Sequence, residues 1–226
     1  MVLVTPSLGE SIWTDLPPGR IVLIPIGSTE QHGPHLPLAA DTIVATAVAE
    51  GVAARLNRAI VAPVVAYGAS GEHAGFPGTL SIGLSALEAV LVELVRSATV
   101  WAAGVVLVNG HGGNATAVDA AVRRLVAEGR DVAWVPCAAP GGDAHAGRTE
   151  TSLLLHLAPA LVDEGSAAAG DVRPIRDLLP ELRARGVRAV SANGVLGDPA
   201  GASAEEGARI LAAMIDGAVR LLEQGR

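Results

Sequence analysis

The amino-acid sequence predicts an α/β fold built on a mainly parallel central sheet. Short apolar runs at 21–26, 60–67, 104–108 and 132–135 alternate with longer segments whose apolar residues recur at helical spacing. That order lays parallel strands between helices. Each run also empties into a loop rich in glycine and carrying His, Asp or Glu. Open α/β sheets bind their ligands at that edge, outside the carboxyl ends of the strands.

The elements follow in order. Ser7 to Trp13 reads as a short opening helix, and Asp15 to Arg20, around Pro17-Pro18-Gly19, as a turn. Ile21 to Ile26 is the first strand. Asp41 can cap a helix over Thr42 to Leu56, where Ile43, Val44, Ala47, Val48 and Val52 form an apolar face. Ile60 to Tyr67 reads as a second strand, followed by the glycine-rich loop Gly68 to Gly78 and a short strand from Thr79 to Ile82. Ser85 caps a helix through about Trp101, and Gly104 to Val108 is the third strand. Asn114 caps a helix to Glu128, and Val132 to Val135 is the fourth strand. His145 to Glu150 opens a leucine-rich helix to about Leu157. Ala158 to Gly201, with its proline, glycine and charge, reads as irregular. Ser203 caps a final helix to Gln224, whose Ile210, Met214, Ile215, Val219 and Leu222 are spaced to pack inward. No repeat or dividing linker interrupts this order, so residues 1–226 read as one domain.

Composition narrows the function. Half of the 226 residues are apolar but only 2% are aromatic, so Val, Leu, Ile and Ala must build the core. The net charge is −7 and the sequence shows no basic cluster, which argues against nucleic acid or an anionic membrane as partner. Cys137 is the lone cysteine; no internal disulfide can form, which fits an inert thiol in the cytoplasm. Residues 1–10 lack the pattern of a signal peptide. Apolar runs stop well short of the roughly 20 residues of a membrane span.

The chemistry concentrates in three strand-exit loops, which supply Glu30, His32 and Asp41, then His111, then His145 with Glu150. Carboxylate and imidazole donors without cysteine suit zinc, iron(II) or manganese. Three ligands and a water would make a one-metal hydrolytic site. Five ligands with one shared carboxylate would hold two metals about 3.5–4 Å apart. Asp41, fixed at a helix start, best fits the shared position, although the same residue also reads as a plain cap. Glu30 has a solvated-loop reading as well. His145, with a pKa in the neutral range, suits a proton donor to a leaving nitrogen. His73 reads either as a loop residue or as a substrate contact, and Arg148 as a surface arginine or a partner for a substrate carboxylate. His35 reads as a loop brace and His156, among leucines, as a core histidine. The Gly110-His111-Gly-Gly-Asn-Ala115 run matches a dinucleotide loop. The acidic residue expected after the next strand is missing, so a nicotinamide oxidoreductase is a remote alternative.

These segments resemble the creatininase family. Gly27 to Asp41, Asn109 to Asn114 and His145 to Ser152 look like its motifs in the same order, over most of the chain. Within the family, Tyr67 to His73, Trp134 to Cys137, Asp143 to Gly147 and Gly194 to Pro199 are most similar to members that process a peptide. The resemblance implies a three-layer αβα fold and an amide hydrolase with two divalent metal ions. By motif position, Glu30, Asp41 and His111 would hold one metal, and His32, Asp41 and a further carboxylate the other. Creatininase draws that carboxylate from a His-x-Glu pattern. Gly113 stands at the matching position here, and Glu150 is the candidate replacement. The peptide-processing members imply cleavage of a modified precursor peptide near its C-terminus, releasing a Val-Tyr-derived piece in redox-cofactor biosynthesis. Family members form homo-oligomers, often hexamers built from dimers. A small cyclic-amide or formamide hydrolase is the alternative within the family, and a non-catalytic metal-binding subunit the alternative outside catalysis.

Overall fold

A computed structural model describes residues 7–139 and 141–224. Its centre is a four-stranded sheet of β1 (Ile21–Ile26), β2 (Ala59–Val61), β3 (Gly104–Asn109) and β4 (Val132–Pro136), ordered β2-β1-β3-β4. All three pairings are parallel, with β1 matched to β3 from Ile21↔Gly104 to Ile26↔Asn109. The strands read as unbroken apolar runs because both faces are covered.

Side-chain alternation assigns the two faces. Leu23, Val106, Val108 and Val135 pack with α1 (Ala40–Arg55), α4 (Arg148–Leu157) and α7 (Ala204–Gln224). Val22, Ile24, Ile26, Val105 and Leu107 pack with α2 (Gly83–Ala98) and α3 (Ala115–Ala127). The result is a three-layer αβα sandwich. Because β2 and β3 flank β1 on opposite sides, the connections leaving β1 and β3 diverge, and the ligand-binding crevice opens between these strands.

Several local readings change. The helix expected from Thr42 starts two residues earlier, at Ala40, so Asp41 sits in its first turn and makes no capping bond. Likewise Ser85 lies inside α2, which starts at Gly83. The second strand shortens to Ala59–Val61, with Val65 forming only an isolated bridge to Ile26. Thr79 to Ile82 is not a strand, although Leu80 N–H donates to Thr29 O and Ile82 N–H to Gly68 O. Two short 3-10 turns, Leu8–Glu10 and Trp13–Asp15, replace the opening helix. Ser203 does cap α7, accepting from Glu206 N–H at 3.2 Å. The stretch read as irregular contains α5 (Ile175–Arg185) and α6 (Val187–Val190). Pro180 inside α5, and five arginines between 173 and 188, hid its helical period. Leu178, Leu182 and Val187 anchor this pair in a satellite cluster with Leu196 and Phe76.

Helix α7 crosses α4 closely enough that a Cβ at Gly207 would lie 1.9 Å from Ser152 O. Gly207→Ala must push the helices apart, an overpacking cost of about 1–3 kcal/mol or more. Thermal unfolding of that variant is expected to shift down by several degrees, and an unchanged Tm would show that the crossing yields freely.

Candidate metal centre

The carboxyl ends of β1 and β3 bring four charged side chains to one buried point. Strand β1 ends at Ile26, and its exit loop turns back so that Glu30 N–H donates to Leu38 O at 3.1 Å. This fold-back drives Glu30 and His32 into the protein, both at 0% exposure, beside Asp41 at the start of α1. Strand β3 delivers His111 immediately after Asn109, whose amide donates to His111 O at 2.8 Å and fixes that turn.

Asp41 stands in the middle. Its Oδ1 lies 3.2 Å from His32 Nε2, and its Oδ2 lies 3.2 Å from His111 Nδ1. Ser28 Oγ donates to the same Oδ2 at 2.7 Å and orients the carboxylate. Glu30 Oε2 is 3.2 Å from His111 Nε2, and Glu150 Oε2 is 3.9 Å from His32 Nε2. Donor atoms of Glu30, Asp41 and His111 lie within 4.8 Å of one another, as do those of His32, Asp41 and Glu150. Asp41 belongs to both groups. A further group, Glu30, His32 and His145, meets the same limit.

This donor set fits divalent cations. Both carboxylate oxygens of Glu30, together with His111 Nε2, are buried and make no aligned hydrogen bond among the described residues. Buried polar atoms rarely go unpaired. These converge at ion-pair distance without hydrogen-bond alignment, as ligands aimed at a common cation do.

The electrostatics agree. Burial raises the Glu30 pKa to about 7, with His111 opposing and Asp41 adding to the rise. Burial also disfavours charge on His32, yet Asp41 and then Glu150 and Glu30 hold its pKa up at about 10. His111 is likewise raised by Glu30 and Asp41 against its burial. Asp41 is held low by His32 and His111, again against burial. Without a metal, the imidazoles must carry protons to balance buried carboxylates. Cation binding releases such protons.

The remaining candidates divide. His145 follows β4 in a loop pinned to Leu196 by backbone bonds of 3.2 and 2.9 Å in opposite directions. Its Nε2 lies 2.8 Å from Gln31 O, while Nδ1 sits 3.9 Å from Glu30 and 4.0 Å from Glu150. Burial, reinforced by His32 and His73, keeps its pKa well below the usual value and the ring neutral. His73 is not a loose loop residue: it is buried, with Nε2 3.2 Å from Glu30 Oε1 and Nδ1 2.8 Å from Gln31 Nε2. Arg148 does not face the site. It is half exposed and pairs with Glu206 at 2.8 Å. Two helical residues correspond to about 200° of rotation, so Arg148 and Glu150 leave α4 on opposite faces. His156 is exposed rather than a core residue. His35 braces α4 through Thr151, 2.9 Å away. Burial and Asp41 raise the Cys137 thiol pKa, keeping it protonated.

Asn114 does not cap α3. Its amide instead ties three loops together, accepting from Ala69 N–H at 2.7 Å and donating to Gly27 O at 3.0 Å and Asn109 Oδ1 at 3.2 Å. Residues not singled out from the sequence also shape the centre. Glu72 Oε1 lies 3.3 Å from His111 Nε2, and the Gln31 side-chain amide nitrogen sits between His73 Nδ1, 2.8 Å away, and His145 Nε2, 3.0 Å away. A Cβ at Gly113 would fall 2.4 Å from His111 Nε2 and 2.5 Å from Glu72 Oε1. The space of a side chain at 113 is thus taken by Glu72 from the neighbouring loop. The acidic groups around His111 also make its loop repellent to a pyrophosphate, against the dinucleotide reading.

The family model "Creatininase: Creatinine amidohydrolase" matches residues 10–222. The chain is 55% identical over 229 residues to the mycofactocin precursor peptide peptidase of Mycobacterium tuberculosis (strain ATCC 25618 / H37Rv), covering 97% of this chain and 91% of that one. It is 56% identical over 202 residues to the protein of the same name from Mycolicibacterium smegmatis, covering 87% and 82%. A solved tryptophan-to-alanine mutant of creatininase superposes with a TM-score of 0.81 at 28% identity, covering 98% of this chain and 99% of that one. By sequence and by fold, this chain belongs to the creatininase family.

Proposed function

We propose that this chain is a metal-dependent peptidase that hydrolyses an amide bond near the C-terminus of a modified precursor peptide, the mycofactocin precursor, releasing a Val-Tyr-derived piece. The observation that carries this reading is the pair of acid–imidazole groups sharing Asp41, set in a cleft of about 860 Å³. The names of the relatives at 55% and 56% identity supply the substrate class. Among solved relatives are a glutamate-to-glutamine mutant creatininase of Zn-Zn type and a creatininase Mn form, which support a zinc- or manganese-type site. In this reading Glu30, Asp41 and His111 hold one cation and His32, Asp41 and Glu150 the other, and the cations supply Lewis acidity toward water and the amide carbonyl.

The protein's own groups move the proton. In this reading His145 Nε2–H donates to Gln31 O, while the Gln31 side-chain amide gives its hydrogens to His73 Nδ1 at 2.8 Å and Gly194 O at 3.0 Å. That leaves the His145 Nδ1 lone pair toward Glu30 and Glu150. Nδ1 takes a proton from the hydrolytic water and passes it to the leaving nitrogen as the C–N bond breaks, giving a carboxylic acid and an amine, which exchange the remaining proton to leave as carboxylate and ammonium. Gln31 fixes the ring, its Oε1 held in turn by Gly33 N–H at 2.9 Å. Glu150 is fixed by Ala146 N–H, which donates to its Oε2 at 2.5 Å.

Elemental analysis and a peptide-cleavage assay on one preparation test the reading. The expected result is two divalent ions per chain and release of a C-terminal fragment by mass spectrometry, both abolished by a chelator and restored by added metal. A metal-loaded protein that hydrolyses creatinine or formamides but no peptide would transfer the assignment to a small-amide hydrolase. The proposal extends to a cytoplasmic homo-oligomer, and the exposed Ile12, Trp13 and Val100 support the self-association. A monomer by light scattering would remove that part.

A further inference from the structure

One carboxylate of the cleft has no task in this chemistry. Glu72 stands on the short turn Gly71–His73 and lines the same space as Asp41, His111, His145 and Glu150. Its Oε1 lies 3.3 Å from His111 Nε2, yet among the described residues it belongs to none of the three groups whose donor atoms converge within 4.8 Å. Its side chain is 32% exposed, against 0% for Glu30 and 5% for Asp41. A ligand would be drawn in with those two. Glu72 stops beside the position framed by Glu30, Asp41 and His111 and stays open to the cleft.

The fold keeps it there. Ser70 N–H donates to Ser81 Oγ at 2.9 Å, and Ala69 N–H to Asn114 Oδ1 at 2.7 Å. The start of α6 presses on the same turn, since a Cβ at Gly186 would fall 2.8 Å from Glu72 O, and Arg188 donates to Gly75 O. Leu178, Leu182 and Val187 pack with Phe76 of that loop. The Glu72 carboxylate fills the room that a side chain at Gly113 would need, 2.5 Å from a Cβ placed there. A Cβ at Gly71 or Gly112 would by contrast meet nothing within 4 Å, and both residues line the cleft. A braced loop thus presents one carboxylate at the site with free space next to it.

Resting on the two-cation reading above, we propose that Glu72 is a second catalytic residue, which accepts a hydrogen bond from the hydrolytic water and aims that water at the amide carbonyl carbon. Lewis acidity toward water makes both of its O–H groups stronger donors, and a carboxylate only accepts. Two acceptors then fix the orientation. His145 Nδ1 takes one hydrogen as a proton. Glu72 holds the other, which stays on oxygen through the attack and becomes the hydroxyl hydrogen of the carboxylic acid. The C–O bond forms from the oxygen lone pair, the C–N bond breaks toward nitrogen, and the His145 proton completes the amine. Glu72 itself gains and loses nothing.

Turnover, metal content and azide binding test this. Glu72→Ala should keep two divalent ions per chain by elemental analysis and a near-normal KM, while kcat falls by about 10²-fold, the value of one preorganised hydrogen-bonding group. Glu72→Gln keeps an acceptor oxygen and should lose less. Formate should restore part of the activity of Glu72→Ala, which a purely structural role would not allow. Azide binding needs no turnover: azide takes the place of the water, where the Glu72 charge repels it. In cobalt-loaded protein, read by visible absorption, Glu72→Gln should bind azide about 10-fold more tightly than wild type, on the order expected for like charges several ångströms apart. Loss of an ion from Glu72→Ala would make Glu72 a ligand and overturn the proposal. Equal azide affinities would also overturn it, as would a normal kcat in Glu72→Ala, and either result leaves the peptidase standing. A wild type that takes up cobalt but cleaves no peptide removes the peptidase, and the azide comparison then decides Glu72 by itself. A chain that takes up no cobalt overturns both.

Discussion

Asp41→Ala is expected to strip the proposed two-cation site of both ions at once. Among the described residues, no other side chain belongs both to the group with Glu30 and His111 and to the group with His32 and Glu150. Its two oxygens already face one imidazole each at 3.2 Å, with Ser28 Oγ fixing the angle. Loss of a mere hydrogen-bonding partner behind a ligand costs roughly 10–100-fold in metal affinity; loss of a shared ligand should cost more, at two sites. Metal content should fall from two ions per chain toward none. Turnover should drop by more than the roughly 10²–10⁴-fold that losing an acid–base group costs. Glu30→Ala and His111→Ala should each empty one position and leave His32 and Glu150 able to keep the other. Asp41→Asn preserves volume and the contact with Ser28, so a folded Asp41→Asn protein lacking metal separates ligand loss from unfolding. Full occupancy of one position in Asp41→Ala protein would show that the carboxylate is not shared.

The layers of the fold can be read from residues because burial on both faces leaves β1 and β3 with uninterrupted apolar runs, and α/β order then fixes the edge at which their loops emerge. Glu30, Asp41 and His111 are visible for the same reason: each stands within a few residues of a strand end or on the first turn of the following helix. What the pattern hides is set by contacts distant in sequence. Glu72 and His73 reach the site from a long loop that follows the short β2, with no strand leading to them. Their adjacency in a glycine-rich segment was the available signal. Gln31 lies between two obvious donors and becomes important only when residues 145 and 194 close over it. Asn114 was misleading because a polar residue before a helix looks the same whether it bonds its own helix or, as here, two distant loops. Helical rotation turns His156 out of its leucine run and gives Arg148 its surface reading, paired with Glu206, rather than the substrate contact.

His145→Ala should separate metal binding from chemistry. If the ring is the proton carrier, the variant keeps its cations, since Glu30, Asp41, His111, His32 and Glu150 remain in place, and its kcat falls by about 10²–10⁴-fold. The competing possibility is also geometric: a His145 donor atom lies within 4.8 Å of donors from Glu30 and His32, close enough for the ring to be a ligand. Two features favour the carrier role. Its Nδ1 is 3.9–4.0 Å from Glu30 and Glu150, farther than the 3.2 Å contacts that Asp41 makes with His32 and His111. Its Nε2 is already committed to Gln31 O at 2.8 Å, which aims the remaining nitrogen into the space where the reacting bond must lie. A ligand role predicts a different outcome, with metal lost in proportion to activity. Gln31→Ala offers an independent check on the same geometry. It removes the side chain between His73 and His145 but leaves the backbone carbonyl that holds Nε2, so it should lower kcat less than His145→Ala at unchanged metal content. Equal losses from the two variants would place the proton transfer on the Gln31-linked network rather than on Nδ1 of His145.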